Sequence, residues 1–552
     1  MPENGYQNRI ISSAIILGVA SLASRIVGLV RERVLTTTFG AGDTFDAFVA
    51  AFRIPDFIFN LVVVGALSAA FIPLFTEKLV NSKSGKSEAN TFAISVLNLV
   101  IVIVASFSAL YAVLAPHIVP LITPGFSGEK LALTISLSRI MAIQPILFGI
   151  SFVFSGVLNS YKRFLAYAAA PILYNVGIII GVVVLVPLLG NTGLGWGVVI
   201  GALLPMLVQL PGVLQAGLRW RPIMSWNSAD VQKLRRMIIP RVFGLAAQQV
   251  NLFIVTILGS SLATGTIAVF HLANNVQSVP IGIFGLAFAQ AAFPTLAEQV
   301  ARKEESAFRR TLTRSFRYIL FFVIPTAVLF FLLRAQTIRV LFGAGAFDWE
   351  DTILTFRTFG WLIASLFAQS TIPLLVRAFY VRHDTKTPVI ISLISIAVNI
   401  SLALWLTPRC DLPLWPGSLG QFPCGVEALA VAFSFSAIVN LVLLLGTLHW
   451  QLDGFNDREV LMSLLKITIA ALVAGFVAQL IKYPIAQIVD VQRTFIGVFT
   501  QLVVAGGGGL VTYIGMCLVL KCDELKVIRR FVPRRWRLLP GTETTRFSGL
   551  SD

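Results

Sequence analysis

Apolar runs of membrane-spanning length recur along almost the whole chain, and short segments between them carry most of the charge. Each run is roughly 20 residues long, which an α-helix needs to cross the hydrocarbon core, whereas barrel strands alternate over about 10 residues. The pattern therefore predicts an all-α, polytopic membrane protein with about 14 transmembrane helices. The predicted spans are approximately 10–38, 44–76, 91–114, 131–158, 164–186, 194–217, 236–258, 265–297, 316–333, 352–379, 388–406, 426–448, 461–481 and 496–520.

Two spans are long for one straight crossing, the second and the eighth. They contain Pro55 and Pro280, and proline removes a backbone donor, so we predict kinks that act as hinges there. A weak repeat links Tyr161-Lys162-Arg163 after the fourth span with Tyr380-Val381-Arg382 after the tenth. An offset of six helices predicts two six-helix lobes. The predicted divisions are an N-terminal lobe (1–220), a C-terminal lobe (221–450), two extra helices (451–520) and a basic tail (521–552).

Composition and charge agree with this class of protein. The chain is 56% hydrophobic and 12% charged, with a mean hydropathy of +0.84 and a net charge of +17. With the N-terminus placed inside, the outside loops hold six of the 43 lysines and arginines, so we predict that both termini are cytoplasmic. Because topology explains the positive charge, we predict no nucleic-acid partner. No nucleotide-binding or metal-binding motif is found, so we predict no cofactor, no metal and no catalytic residue.

Three arginines, Arg25, Arg31 and Arg53, lie inside the first two predicted spans. An ionised arginine near a bilayer centre costs about 2.5–3.5 kcal/mol on insertion scales, so such residues face a bundle interior or a wet cavity. We therefore predict a cationic internal cavity that binds an anion. Two alternatives stay open. Arg31 could mark a helix end near the headgroups, or the arginines could form a fully paired network with the acidic residues Glu32, Asp46 and Asp56.

Several motifs occur together in one order along the chain. The first hairpin reads Ser24-Arg25-Ile26-Val27-Gly28, Phe39-Gly40-Ala41-Gly42, Asp46-Ala47-Phe48 and Phe52-Arg53-Ile54-Pro55, and Phe71-Ile72-Pro73, Pro124-Gly125-Phe126, Asn159-Ser160-Tyr161-Lys162-Arg163 and His383-Asp384-Thr385-Lys386-Thr387-Pro388 follow. With these motifs the chain resembles the MurJ (MviN) family, the proposed flippases of the peptidoglycan precursor lipid II. The resemblance implies a fold of the MOP exporter superfamily, a central cavity, two extra helices that form a lipid-tail groove, and alternating access.

The resemblance also implies a function, a location and a site. It implies a flippase of the bacterial inner membrane, active in peptidoglycan synthesis and cell shape, whose partners are a lipid-linked peptidoglycan precursor, membrane lipids and cell-wall synthesis proteins. The predicted substrate-binding residues are Arg25, Arg31 and Arg53, and the predicted supporting cavity residues are Glu32, Asp46 and Asn275. His271 is either a proton carrier or a hydrogen-bonded packing residue.

The chain also departs from the family pattern. Where the family usually has Arg-Arg and Glu-Gly, this chain has Phe59-Asn60 and Val64-Gly65, and Asn274-Asn275 stands where the family has an arginine. A related polyprenyl-linked glycan is therefore an alternative substrate. Another MOP exporter and a non-transporting cell-wall scaffold are alternative functions.

The four cysteines fall into two pairs. Cys410 and Cys424 share the predicted outside loop between spans eleven and twelve, so they could form a disulfide in an oxidising compartment. Cys517 and Cys522 lie near the predicted inner face, where we expect them to stay reduced.

Overall fold

The computed structural model describes residues 3–64, 71–81, 86–223, 232, 249–408, 424–452, 454, 457–488 and 494–525. These residues form helices and connecting turns, with no strand among them. The helices of the first half are α1 (Glu3–Phe39), α2 (Asp43–Ala51), α3 (Arg53–Ile58), α4 (Phe71–Asn81), α5 (Lys86–Ile122), α6 (Gly128–Met141), α7 (Gln144–Ser160), α8 (Phe164–Ile180), α9 (Val186–Leu189) and α10 (Gly193–Gln215).

The second half continues in the same way. Its helices are α11 (Gln249–Ser260), α12 (Thr266–Pro280), α13 (Ala287–Ala301), α14 (Glu305–Leu332), α15 (Arg334–Phe342), α16 (Trp349–Ile363), α17 (Leu366–Val381), α18 (Lys386–Leu406), α19 (Gly425–Gln451), α20 (Asp457–Ile488) and α21 (Phe495–Val519). The prediction of an all-α polytopic membrane protein is confirmed.

The number of membrane crossings is consistent with the sequence pattern. Within the described residues, nine helical segments are long and apolar enough to cross a membrane, and the pair α16 and α17, bent by 45°, makes a tenth. One of the nine, Leu165–Gln215, is 51 residues long, but α10 packs back against α8, so this segment holds two predicted spans. Parts of spans two and seven lie outside the described residues, so the count of fourteen stays a prediction.

Glycines explain why α8 and α10 pack so closely. A Cβ atom on Gly177 would lie 2.2 Å from the Gly201 Cα, and one on Gly181 would lie 2.5 Å from the Gly197 Cα. No larger residue fits without moving a backbone. Small residues that let backbones approach are a common device for holding membrane helices together, since apolar burial alone does not favour helix over lipid.

The two predicted kinks coincide with irregular backbone. Residues Phe59–Val64, after Pro55, and Ile281–Leu286, directly after Pro280, are π-helical turns. Proline cannot donate the normal i→i−4 hydrogen bond, and a π turn accommodates that loss by widening the helix locally. The second and eighth predicted spans therefore share an interruption, six helices apart.

The turn after α7 and the turn after α17 have the same geometry. Each ends its helix with a residue at positive φ, Lys162 (60°) and His383 (64°), and in each the next backbone N–H bonds the carbonyl five residues earlier. The structural match therefore pairs Lys162 with His383. It is shifted by two positions from the alignment of Tyr161-Lys162-Arg163 with Tyr380-Val381-Arg382 that the sequence suggested.

The last two helices pack on one side of the second half. α20 and α21 contact each other along their length, and α20 also packs against α14. Their buried contact includes Phe321, Ala470, Ala474 and Tyr513. The Tyr513 hydroxyl donates to the Phe321 carbonyl at 2.7 Å, which fixes the register of α21 on α14.

Candidate functional site

The predicted arginines lie where the first half meets the second. Arg25, in α1, is half-buried and its Nη1 lies 3.4 Å from the carbonyl oxygen of Val279 in α12. The side chain reaches α12 because Gly282 leaves space: a Cβ there would lie 2.4 Å from the Arg25 Nη2. Arg25 therefore bridges the two lobes instead of facing lipid.

Arg31 forms an ion pair with its neighbour Glu32, whose side chain is 3% exposed. The Glu32 Oε1 also accepts from the Asn275 Nδ2 at 3.0 Å and lies 3.5 Å from the His271 Nε2. Both of these residues belong to α12, one turn apart, and their side chains lie 3.0 Å from each other. One carboxylate thus joins α1 to the second lobe, and three predicted site residues, Arg31, Glu32 and Asn275, come together.

Hydrogen-bonding capacity remains at this cluster. Within the described part of the chain, the Arg31 Nε and the Glu32 Oε2 are buried and have no hydrogen-bond partner. A buried donor without a partner is unfavourable, so a native structure seldom leaves one unless a ligand, ion or water completes it. The Arg31 Nε is therefore an available donor for an anion.

Arg53 occupies the start of α3, on the neighbouring span. Its Nε donates to the Thr256 hydroxyl in α11 at 2.7 Å, so this arginine also contacts the second lobe. Asp56 follows about one turn later and interacts electrostatically with both Arg53 and Arg31. The three predicted arginines therefore all lie at contacts between the lobes, and a charge interaction through Asp56 connects two of them.

Sequence reasoning named Asp56 as a possible partner of the arginines, but it left Gln144, Tyr174 and Thr256 out of the predicted site. The Gln144 Nε2 lies 3.4 Å from the Asp56 Oδ1 and 3.4 Å from the Tyr174 hydroxyl oxygen. The only signal for them was a polar side chain inside an apolar span, and many such side chains simply pack. Which helix face they occupy depends on tertiary contacts.

Asp46 lies in a different cluster from Arg31. Its carboxylate accepts from the Lys130 Nζ at 2.7 Å and from the backbone N–H groups of Gly265 and Ala268, each at 2.8 Å. Those N–H groups begin α12, so an acidic residue of one lobe caps a helix of the other. Lys130 also pairs with Asp43 at 2.7 Å, and its hydrogen bond holds the pKa of Asp43 below the usual value.

The charge of the interlobe cluster follows from its members. Arg31 and Arg53 interact with two carboxylates, Glu32 and Asp56, whereas Arg25 contacts the Val279 carbonyl and pairs with neither of them. With both carboxylates ionised, these five side chains at the contact between the lobes carry one excess positive charge. Guanidinium groups donate paired hydrogen bonds to phosphate oxygens and stay charged. The arrangement can therefore bind an anion between the lobes.

Other predicted features lie apart from this cluster. In the described residues, no group of three or more His, Cys, Asp or Glu could hold a metal ion. Cys424 immediately precedes α19, but Cys410 lies outside the described residues, so the disulfide stays a prediction. Cys517 and Cys522 are buried at the end of α21. The basic tail beyond Leu525 also lies outside the described residues.

Comparison with known proteins places this arrangement in a family. Residues 35–499 match the family model described as "Lipid II flippase MurJ". A protein named "Probable lipid II flippase MurJ" from Haemophilus influenzae is 31% identical over 473 residues, covering 82% of this chain and 89% of that protein. One of the same name from Bdellovibrio bacteriovorus is 28% identical over 533 residues, covering 95% and 97%.

Solved structures show the same fold. A structure titled "Lipid II flippase MurJ, inward closed conformation" matches with a TM-score of 0.75 and 22% identity, covering 93% of this chain and all of that one. An inward-facing multidrug resistance MATE family transporter of the MOP superfamily matches with a TM-score of 0.62 and 13% identity, covering 80% and 98%. At these identities the likeness concerns the fold alone, an all-α membrane bundle of two lobes, and in this chain α20 and α21 follow the second lobe.

Proposed function

Because this chain belongs to the MurJ family of lipid II flippases, we propose that it moves a polyprenyl-pyrophosphate-linked cell-wall precursor, lipid II, across the bacterial inner membrane by alternating access. The family, with the nine apolar helical segments and one bent pair of helices within the described residues, makes it a multi-pass membrane transporter. Its proposed task needs no covalent chemistry. The physical task is to carry a charged pyrophosphate-sugar headgroup through a medium hostile to charge.

The observation that carries this proposal is the cluster of Arg25, Arg31 and Arg53 at the contact between the lobes. Each of these arginines, or its paired carboxylate, contacts a helix of the second lobe. An anion bound there would contact both lobes at once, so it could favour one arrangement of the lobes over another through differential contacts. The excess positive charge and the unpartnered Arg31 Nε give it a place to bind.

Glu32 has a specific part in this proposal. In the structure it is the counter-ion of Arg31, so pyrophosphate oxygens would compete with its carboxylate for the guanidinium. Asn275 and His271 would still hold Glu32 when Arg31 turns to the substrate. This exchange keeps a buried carboxylate from being left without partners, which would cost several kcal/mol. The π-helical turns that follow Pro55 and Pro280 are where we propose that α3 and α12 bend as the lobes rock.

The orientation and the lobe boundaries belong to the same proposal. We place both termini in the cytoplasm because the positive-inside rule favours it, with lobes at 1–220 and 221–450, the extra helices at 451–520 and the tail at 521–552. Asp46, Lys130 and the start of α12 then lie toward the outer face. Cell-wall synthesis proteins are proposed partners on the strength of the substrate alone.

The test is transport, in cells and with purified protein. Bacteria depleted of their own lipid II flippase should grow when this chain is expressed, and proteoliposomes containing it should move labelled lipid II between leaflets. Arg31→Ala should abolish both activities. Arg139→Ala is the matched control, because Arg139 lies in α6 and donates to the Ala112 carbonyl on the exposed surface.

Three results would redirect or overturn the proposal. Transport of a different polyprenyl-linked glycan but not lipid II would change the substrate. Export of a cationic drug would contradict the charge argument, since an excess of arginine disfavours a cation. Rescue of growth without any transport by purified protein would favour a scaffold.

A further inference from the structure

A second group of cationic side chains lies beside an apolar groove on the surface of the molecule, away from the interlobe arginines. An apolar groove of about 520 Å³ runs between α14, the bend from α16 to α17, and α20. Of its twelve lining residues only Gln479 has a polar side chain. Phe331, Leu472 and Phe476 line it and are 47%, 59% and 65% exposed, so the groove opens outward to the bilayer.

Two cations stand at one end of this groove. Arg334 begins α15; its Nη1 donates to the Phe331 carbonyl at 2.6 Å, and its guanidinium carbon lies 4.7 Å from the centre of the Phe331 ring. The Lys482 Nζ donates to the carbonyl of Leu332 at 3.2 Å. Phe331 and Leu332 are the last groove residues of α14, so both cations are held at the mouth of the groove.

The simplest role for such cations is to cap the carboxyl end of α14, where unpaired carbonyls attract positive charge. Capping leaves most of the hydrogen-bond donors of Arg334 and Lys482 unused, because a guanidinium has five donors and an ammonium has three. Within the described residues neither cation forms a salt bridge, and their like charges repel each other. Two cations kept close together, with neither paired to a carboxylate of the described residues, are a favourable position for an anion.

The length of the groove indicates what kind of anion. Its residues on α14 run from 324 to 332, which is about 12 Å at 1.5 Å per residue. That is less than half of a hydrocarbon core about 30 Å thick. An apolar channel that lies within one leaflet, with cations at its polar end, matches a lipid whose chains occupy a single leaflet.

We propose that this groove and the Arg334–Lys482 pair form a binding site for an anionic phospholipid, its phosphate between the two cations and one acyl chain in the groove. The lipid would lie in the leaflet on the side of Asp46 and Lys130, the outer leaflet in the proposed orientation. It would tie α20 to α14 and to the α16–α17 bend, beside the Gln479 and Phe476 side chains.

The experiment measures lipid binding to the purified full-length chain by native mass spectrometry. Phosphatidylglycerol is titrated against phosphatidylethanolamine of the same chain length. Wild-type protein should retain phosphatidylglycerol preferentially. Arg334→Gln with Lys482→Gln should weaken that binding by about 30-fold, since each basic residue near a membrane surface contributes about fivefold. Arg357→Gln is the matched control, because Arg357 lies in α16 on an exposed surface near Glu427.

A second variant tests the groove itself. Ala364 lines the groove and is exposed, so Ala364→Trp should fill part of it and reduce phosphatidylglycerol binding while leaving the thermal unfolding of the lipid-free protein unchanged. Soluble glycerophosphate should compete poorly, because it lacks the chain.

The proposal is wrong if Arg357→Gln weakens phosphatidylglycerol binding as much as the double variant does, or if glycerophosphate competes effectively. It is also wrong if a polyprenyl phosphate binds this site more tightly than phosphatidylglycerol. Because the readout is binding, a failure of transport leaves it unaffected.

Discussion

Arg31 has two roles, and a single substitution of its side chain would remove both. It balances the Glu32 carboxylate, which is 3% exposed, and it has a buried Nε with no partner within the described residues. Removing the side chain therefore removes a counter-ion and an anion donor together. Asn275 and His271 remain beside Glu32, which limits the structural damage and makes the two tasks separable.

We predict that Arg31→Ala abolishes translocation of lipid II while its abundance in the membrane stays near that of the wild type. Arg31→Lys should recover only part of the activity, because lysine keeps the charge but loses the bidentate fork. The measurement is translocation per reconstituted protein. The control is the double variant Arg31→Ala with Glu32→Gln: if it transports normally, Arg31 serves only to neutralise Glu32, and the substrate-binding role is wrong.

The site could be predicted from sequence only where burial is costly. Arg25, Arg31 and Arg53 stand out because a charge in an apolar span needs a reason. Tyr174 and Thr256 carry no such signal, since neutral polar residues are tolerated in membrane helices. Asp46 lies between Arg31 and Arg53 in the sequence and was predicted beside the arginines, yet it lies with Lys130 and the start of α12. Sequence proximity could not decide between these positions.

At the scale of the element, the clearest constraint is the contact between α8 and α10. Gly177 and Gly201 are so close that any side chain on the former meets backbone, which cannot move as a flexible side chain can. The sequence showed the glycines and the two apolar spans. It could not show that these glycines face each other, because that depends on how the helices pack.

We predict that Gly177→Ala destabilises the protein by about 1–3 kcal/mol, the usual cost of overpacking. Gly446→Ala, in α19, is the control: its added Cβ would have no atom within 4 Å, and alanine is the better helix former. Thermal unfolding in detergent should show a lower midpoint for the first variant and an unchanged or higher one for the second. Equal midpoints would mean that the two helices separate at no cost.

The turn between α17 and α18 predicts a pH effect. Burial of the Asp384 carboxyl acts to raise its pKa, but hydrogen bonds from the Thr387 side chain and N–H, from Gln451 and from the Lys386 N–H outweigh it, so the pKa is lower than usual. A carboxyl with a lowered pKa stabilises the folded state above its unfolded pKa of about 3.9, and this stabilisation is lost as the pH falls through the folded value.

We therefore predict that Asp384→Asn lowers the unfolding midpoint at pH 7 by the equivalent of about 0.3–1 kcal/mol, because the asparagine oxygen still accepts from the N–H groups but lacks the negative charge that favours a helix N-terminus. The difference between variant and wild type should shrink below about pH 4, where the wild-type carboxyl becomes protonated. Midpoints measured from pH 3 to pH 7 for both proteins test this. A difference that stays constant across that range would exclude the ionised cap.

At the scale of the whole molecule, the lobes are joined mainly on one side. In the described part of the chain, the hydrogen bonds between the lobes involve residues 25–53 or Gly125, apart from those that Asn98 donates to Arg221 and Ile223 next to the lobe boundary. Two glycines make this approach possible: a Cβ on Gly265, which has φ +83°, would lie 1.9 Å from the Ala41 oxygen, and one on Gly125 would lie 2.1 Å from the Ser260 oxygen. The hydrophobic pattern predicted the helices, but not which ends of the two lobes would meet.

The contact between Asp46 and the start of α12 predicts how the equilibrium between joined and separated lobes can be shifted. The Asp46 carboxylate holds the first N–H groups of α12 across the interface, so Asp46→Ala removes a helix cap and an interlobe bond together. Caps are worth about 0.5–2 kcal/mol, which corresponds to roughly a 2- to 30-fold change in the equilibrium between joined and separated lobes.

We expect faster hydrogen–deuterium exchange at residues 265–272 in Asp46→Ala than in the wild type. Exchange there should also be faster in Gly265→Ala, because the positive φ of this residue and the nearby Ala41 oxygen both disfavour a side chain. Asp43→Asn is the control, because Asp43 is more exposed and leaves the α12 cap intact. If exchange in Asp46→Ala matches the control, this contact does not hold the lobes together, and other residues must close the lobes at this end.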